Sequence, residues 1–163
     1  MLQRIQTFYL ALAFISIALL LVFPVFIISI GNDVYAEFNA HGFQLIEEAK
    51  TSNSQPYYIL FIIMALFSAL GILLYKNRSK QILVVRIGLV IHVLVAVAFL
   101  LFSFFGKSKM IDKITQAGID TEQIHYTNGL GYFLLFIAIP FLLLAIRGIR
   151  ADDKLVKSLD RLR

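Results

Sequence analysis

Four stretches from which polar residues almost vanish organise this chain. They run over about 7–30 ("TFYLALAFISIALLLVFPVFIISI"), 56–75 ("PYYILFIIMALFSALGILLY"), 82–105 and 129–146 ("GLGYFLLFIAIPFLLLAI"). A helix needs about 20 apolar residues to cross a hydrocarbon core about 30 Å thick, and each stretch meets or approaches that length. Polar segments separate them at 31–55, 76–81 and 106–128, and a charged tail follows at 147–163. Within lipid the backbone must satisfy its own hydrogen bonds, and four strands are too few to close a barrel. The pattern therefore predicts an all-α integral membrane protein, with four transmembrane helices bundled in one domain over residues 1–163. The first stretch follows Arg4 as the core of a signal peptide follows its basic start, but it far exceeds the 7–15 apolar residues of such a segment. No clean A-x-A site follows it, so it is expected to be a span.

Composition supports lipid as the solvent. Of 163 residues, 60% are hydrophobic and mean hydropathy is +0.83, against about 45–50% apolar residues in a soluble domain. The absence of cysteine excludes disulfides, thiol chemistry and Cys-ligated zinc. The net charge of +5 reports orientation before it suggests nucleic acid, and no nucleic-acid partner is expected. Eleven of the fifteen basic residues fall at the termini and in the 76–86 region, including Arg4, Lys76, Arg78, Lys80, Arg86, Arg147 and Arg150. Seven of the ten acids fall in the other two connections. The positive-inside rule then places both termini in the cytoplasm. The first outer loop, 31–55, is long for a connector, and "VYAEFNAHGFQLIEE" fits either a hairpin turning at His41–Gly42 or a loop on the membrane surface. In the second, 106–128, "SKMIDKITQAG" reads as a short helix capped by Ser108.

Candidate chemistry is sparse. Arg86 and His92 are the ionisable residues inside a span, and such residues are functional candidates by default. Arg86 is near enough to the cytoplasmic end to snorkel to phosphates. His92 shares a face with Gly88 and Ala96, which predicts a packed histidine bonding across the bundle to Ser16 or Ser68. A proton relay would want a carboxylate, and no span holds one. His41 and His125 lack the ligand spacing of a metal motif, so no metal or other cofactor is expected. Pro140 is expected to kink the fourth span, while Pro24 shapes the exit of the first. Ala65, Ser68, Ala69 and Gly71 form a small-residue packing face.

The tail "RGIRADDKLVKSLDRLR" carries Leu155, Val156, Leu159 and Leu162 at helical spacing, acids at its start and bases at its end. It predicts a short amphipathic cytoplasmic helix that lies on anionic lipid or docks on a partner. With the opening "QRIQT" it forms a candidate surface comprising Arg4, Arg150, Asp153, Lys154, Leu155, Lys157, Leu159 and Arg161. The opening "MLQRIQTFYLALA" and the closing "LAIRGIRADDKLVKSLDRLR" resemble a family of small four-span bacterial membrane proteins of unknown function found among the Bacteroidota. That resemblance implies an inner-membrane protein and supplies no activity. The expected function is a non-enzymatic accessory or scaffolding protein that contacts membrane lipids and binds another membrane protein. The alternative is a transporter, channel or lipid/quinone-binding bundle. Four helices leave little room for a pathway, so that alternative requires a homo-oligomer.

Overall fold

The computed structural model describes residues 2–31, 33–45, 56–107, 111 and 124–160, with the side chains of 2–4, 45, 157, 159 and 160 excepted. Helix α1 (Leu2–Ala18) rises and ends in a 3₁₀ turn, Leu19–Leu21. Strands β1 (Phe26–Ile30), β2 (Asp33–Asn39) and β3 (Gly42–Leu45) follow. Helix α2 (Tyr57–Leu73) descends, and a tight turn at Leu74–Lys76 leads into α3 (Arg78–Leu101). Strand β4 (Ile124–Asn128) then precedes α4 (Leu130–Asp160). The helices run up, down, up, down, and α1 packs on both α2 and α4 while α3 closes the ring. The sheet caps one end, and the α2–α3 turn, the start of α1 and the last turns of α4 gather at the other.

Among the described residues, three helices are long and apolar enough to span a membrane: Tyr57–Lys76, Arg78–Gly106 and Leu130–Val156. The first apolar stretch behaves differently from the span expected over 7–30. Its helical part ends in the 3₁₀ turn at Leu21, and the rest of the stretch leaves the helix. Pro24 cannot donate a backbone hydrogen bond, and the β-branched run after it pairs as β1. An unbroken apolar run looks the same for a buried strand as for a helix, so hydrophobicity alone could not place this boundary.

The sheet is antiparallel with order β3-β2-β1-β4. Phe26 pairs with Phe38 on one side and Asn128 on the other, and a bulge interrupts β1 at Ile28/Ser29. The hairpin reading of the first outer loop thus holds over β2–β3, where Gly42 takes a φ of 99°, a value that favours glycine. The second outer loop ends in β4, which the sequence reading missed; the helix expected there lies almost entirely outside the described residues.

Two layers of side chains fill the bundle. Near the sheet, Ile17, Leu20, Phe61, Met64, Leu135 and Ala138 pack beneath Val25 and Phe26. Toward the opposite end, Leu10, Ala13, Val85, Leu142, Ala145 and Ile149 form the second layer. Small residues set the helix spacing, as expected. A β-carbon at Gly71 would sit 2.6 Å from Val85 Cγ2, and one at Gly88 would sit 2.8 Å from Phe67 Cβ. Helix α4 runs through Pro140 without interruption and continues through Asp160, so no separate tail helix forms.

Candidate functional site

Three groups of residues carry what chemistry the bundle has, and they lie at different depths. The first surrounds His92 in the middle of α3. Its ring is fully enclosed, and Nε2 lies 2.7 Å from the Leu135 carbonyl on α4. A carbonyl only accepts, so Nε2 carries the proton and Nδ1 is left as an acceptor with no partner among the described residues. The acceptor expected was Ser16 or Ser68. Ser16 instead bonds within its own helix, to the Leu12 carbonyl at 2.9 Å. Leu135 comes within reach because Gly88, His92 and Ala96 are all buried in the bundle's interior. Arg86 lies on a different face of the same helix, exposed, so the structure separates the two intramembrane candidates.

The second group is at the end opposite the sheet. Gln6 donates from Nε2 to the Gly148 carbonyl at 3.0 Å, and a β-carbon at Gly148 would meet Gln6 Cγ at 2.9 Å. Gln81 donates to the Gly71 carbonyl at 2.8 Å, tying the start of α3 to the end of α2. Arg78 forms an ion pair with Asp152, with side chains 25% and 14% exposed. The start of α1, the α2–α3 turn and the end of α4 therefore share one surface. Of the candidates expected there, Arg150, Lys154 and Leu155 are exposed on α4, and Asp153 is half-buried. Lys157 and Leu159 continue the helix, with side chains outside the described set. Arg4 is on α1 with its side chain likewise undescribed, and Arg161 lies outside the described residues. Gln6, Gln81 and the Arg78–Asp152 pair escaped the sequence reading. Their signal was a polar side chain at a helical position that the periodicity would bury.

The third group, at the sheet end, was also missed. Phe26 lies at the centre of an aromatic cluster, with ring centroids of Phe102, Tyr126, Phe99 and Tyr132 at 5.3, 5.5, 5.7 and 5.9 Å. Beside it an apolar chamber of about 270 Å³ is lined by Phe26, Phe38, Tyr57, Leu60, Val95, Ala98, Phe99 and Phe102. A second, more polar chamber of about 410 Å³ is lined by Ser103, Phe104, Lys107, Tyr126, Asn128 and Tyr132. Burial pushes the Tyr126 phenol up to about 12, with nearby Ser103 opposing part of the shift. His41 and His125 are both exposed and far apart on the sheet, at the β2–β3 turn and on β4. Among the described residues no group of three or more His, Cys, Asp or Glu side chains could hold a metal.

Residues 2–162 match the family described as Domain of unknown function (DUF4293). The chain belongs to that family. The match covers nearly the whole chain, including the "QRIQT" start and most of the charged close. A comparison with curated proteins finds no match. Membership fits a small multi-span membrane protein and assigns no activity to any of the three groups.

Proposed function

We propose that the protein is a non-enzymatic accessory subunit of a bacterial inner membrane, with both termini in the cytoplasm, whose α4 extension holds a second membrane protein. The observation that carries this reading is the continuity of α4. Its 31 residues measure about 46 Å, against a hydrocarbon core of about 30 Å. A tail lying flat among headgroups needs a break where the span ends, and α4 has none before Asp160. The helix therefore projects, and its base is anchored by the Arg78–Asp152 pair and the Gln6–Gly148 bond. Between those anchors Arg150 is exposed, and beyond them Lys154, Leu155 and Val156 are exposed. Apolar side chains flanked by bases suit a partner groove with an acidic rim.

The distribution of basic residues supports the cytoplasmic placement of this end. The family resemblance of the two ends supports the bacterial membrane. The enclosure of His92 favours a supporting role over a conducting one, because a transport pathway would expose it to a wet cavity. The test is purification of the tagged full-length chain from its own membranes in native nanodiscs. One stoichiometric membrane protein should accompany the wild type, be lost with Leu155→Asp/Val156→Asp, and be weakened by Arg78→Ala. A wild-type chain that emerges alone or bound only to itself refutes the reading.

A further inference from the structure

Helix α3 abandons α-helical geometry where it leaves the bundle. After Leu101 it forms a five-residue π-helical turn, Phe102–Gly106, and such turns re-aim the side chains beyond them. Here Phe102 faces the aromatic cluster, while Ser103 and Lys107, four residues apart, line the polar chamber. Ser103 donates to Asn128 Oδ1 at 3.3 Å, which leaves the Asn128 amide nitrogen as the free donor. The Tyr126 hydroxyl is buried beside Ser103, and no hydrogen bond of good geometry satisfies it among the described residues. The Lys107 ammonium stands 5.5 Å from the Tyr126 ring centroid. Among the described residues no carboxylate lines this chamber. An ammonium, a phenol and an amide thus line one space in which, among the described residues, no carboxylate stands to meet them.

We propose that this end of the bundle binds one membrane amphiphile by its phosphate headgroup, held by Lys107, Tyr126 and Asn128, with its chain in the adjoining aromatic chamber. Phosphate fits better than carboxylate because three donors need three acceptor oxygens around one charge. A membrane source fits better than a soluble phosphate for two reasons. Lys107 follows directly on the spanning segment Arg78–Gly106, which puts its charge at headgroup depth. The neighbouring chamber is almost wholly apolar, and a small void between them shares Phe26, Phe38 and Phe102 with it and Tyr126 with the polar chamber. The site is at the far end of the bundle from the α4 extension and stands independently of the accessory reading.

The experiment is displacement of a fluorescent phosphatidic acid from the full-length protein in neutral-lipid nanodiscs. Unlabelled phosphatidic acid should displace the probe at one site per chain. Diacylglycerol, with the same chains and no phosphate, should compete at least about tenfold more weakly, as should inorganic phosphate. Lys107→Ala and Tyr126→Phe should each weaken binding about tenfold or more, and Lys107→Arg should restore most of it. Both alterations leave the aromatic cluster's rings in place, and circular dichroism of each variant verifies that the fold is retained. Equal competition by diacylglycerol overturns the headgroup site. Competition by inorganic phosphate equal to that by phosphatidic acid overturns the membrane source. Folded Lys107→Ala and Tyr126→Phe variants that bind like wild type overturn the assignment of residues.

Discussion

Replacing His92 separates the two things its side chain does. The ring fills space between α3 and α4, and its Nε2 donates to the Leu135 carbonyl at 2.7 Å. In membrane proteins such interhelical bonds contribute about 0.6 kcal/mol on average and about 1.7 at most. Losing the bond does not strip the Leu135 carbonyl of every partner, because it also sits within the continuous helical ladder of α4. Truncation leaves a cavity at a fully enclosed site, and core truncations of comparable size cost about 2–5 kcal/mol in soluble proteins. In a bilayer much of the transfer term disappears, since the unfolded reference also lies in lipid, so about 2–3 kcal/mol remains from lost packing. His92→Ala should therefore destabilise by about 2–4 kcal/mol. His92→Met keeps much of the volume with an adaptable chain, loses the bond, and removes the buried unpartnered Nδ1. Its cost should stay within about 1 kcal/mol. The assay is reversible unfolding of the purified chain in mixed micelles, titrated with a denaturing detergent and followed by circular dichroism. If Met is as damaging as Ala, the hydrogen bond outweighs packing and the reasoning fails. If Met leaves stability intact but abolishes partner association, His92 is functional and its structural reading falls.

Other predictions address the ends of the bundle. Gly129 donates to the Val25 carbonyl at 2.8 Å, and a β-carbon there would collide with the Pro24 backbone; Gly129→Ala should cost about 3 kcal/mol or more and detach β4 from β1, read by hydrogen exchange at Tyr126 and Thr127. Removing one member of the Arg78–Asp152 pair should cost about 1–3 kcal/mol, between the values for exposed and buried pairs, and a double variant should recover part of that loss in the same unfolding assay. The Tyr126 phenol is raised from 10 to about 12, so its contribution is complete below pH 10 and is lost as pH rises through about 12. Spectrophotometric titration should show one late phenolate that disappears in Tyr126→Phe; seven tyrosines that all titrate together would contradict the burial. Because the chain has no cysteine, His41→Cys and Ser158→Cys report topology cleanly. An impermeant maleimide should label the first in intact cells and the second only after lysis, and the reverse pattern would invert the proposed orientation.

Much of the architecture can be read from the chain alone, because the lipid solvent imposes strong rules on sequence. The spans of α2, α3 and α4 follow from hydrophobic length, and their close contacts follow from Gly71, Gly88 and Ala96 at helical spacing. The burial of His92 was legible from its small neighbours, whereas its acceptor was not. A backbone carbonyl on α4 has no sequence signature, and only the rotation of α3 against α4 brings Leu135 to the ring.

The tertiary structure decided what hydrophobicity leaves degenerate. Phe26–Ile30 is equally apolar as strand or helix, and it is a strand because Pro24 ends the helical ladder and β2 and β4 offer partners on both sides. β2 follows within a few residues, but β4 lies nearly a hundred residues away, so no local window contains the whole of that information. The tail's amphipathic pattern likewise predicts a helix but not its direction. Its direction follows from contacts made elsewhere, chiefly Gln6 on α1 and Arg78 after the α2–α3 turn, which hold the last turns of α4 in line with the rest of the helix. Sequence periodicity specifies which face of an element is apolar; only packing specifies what that face meets.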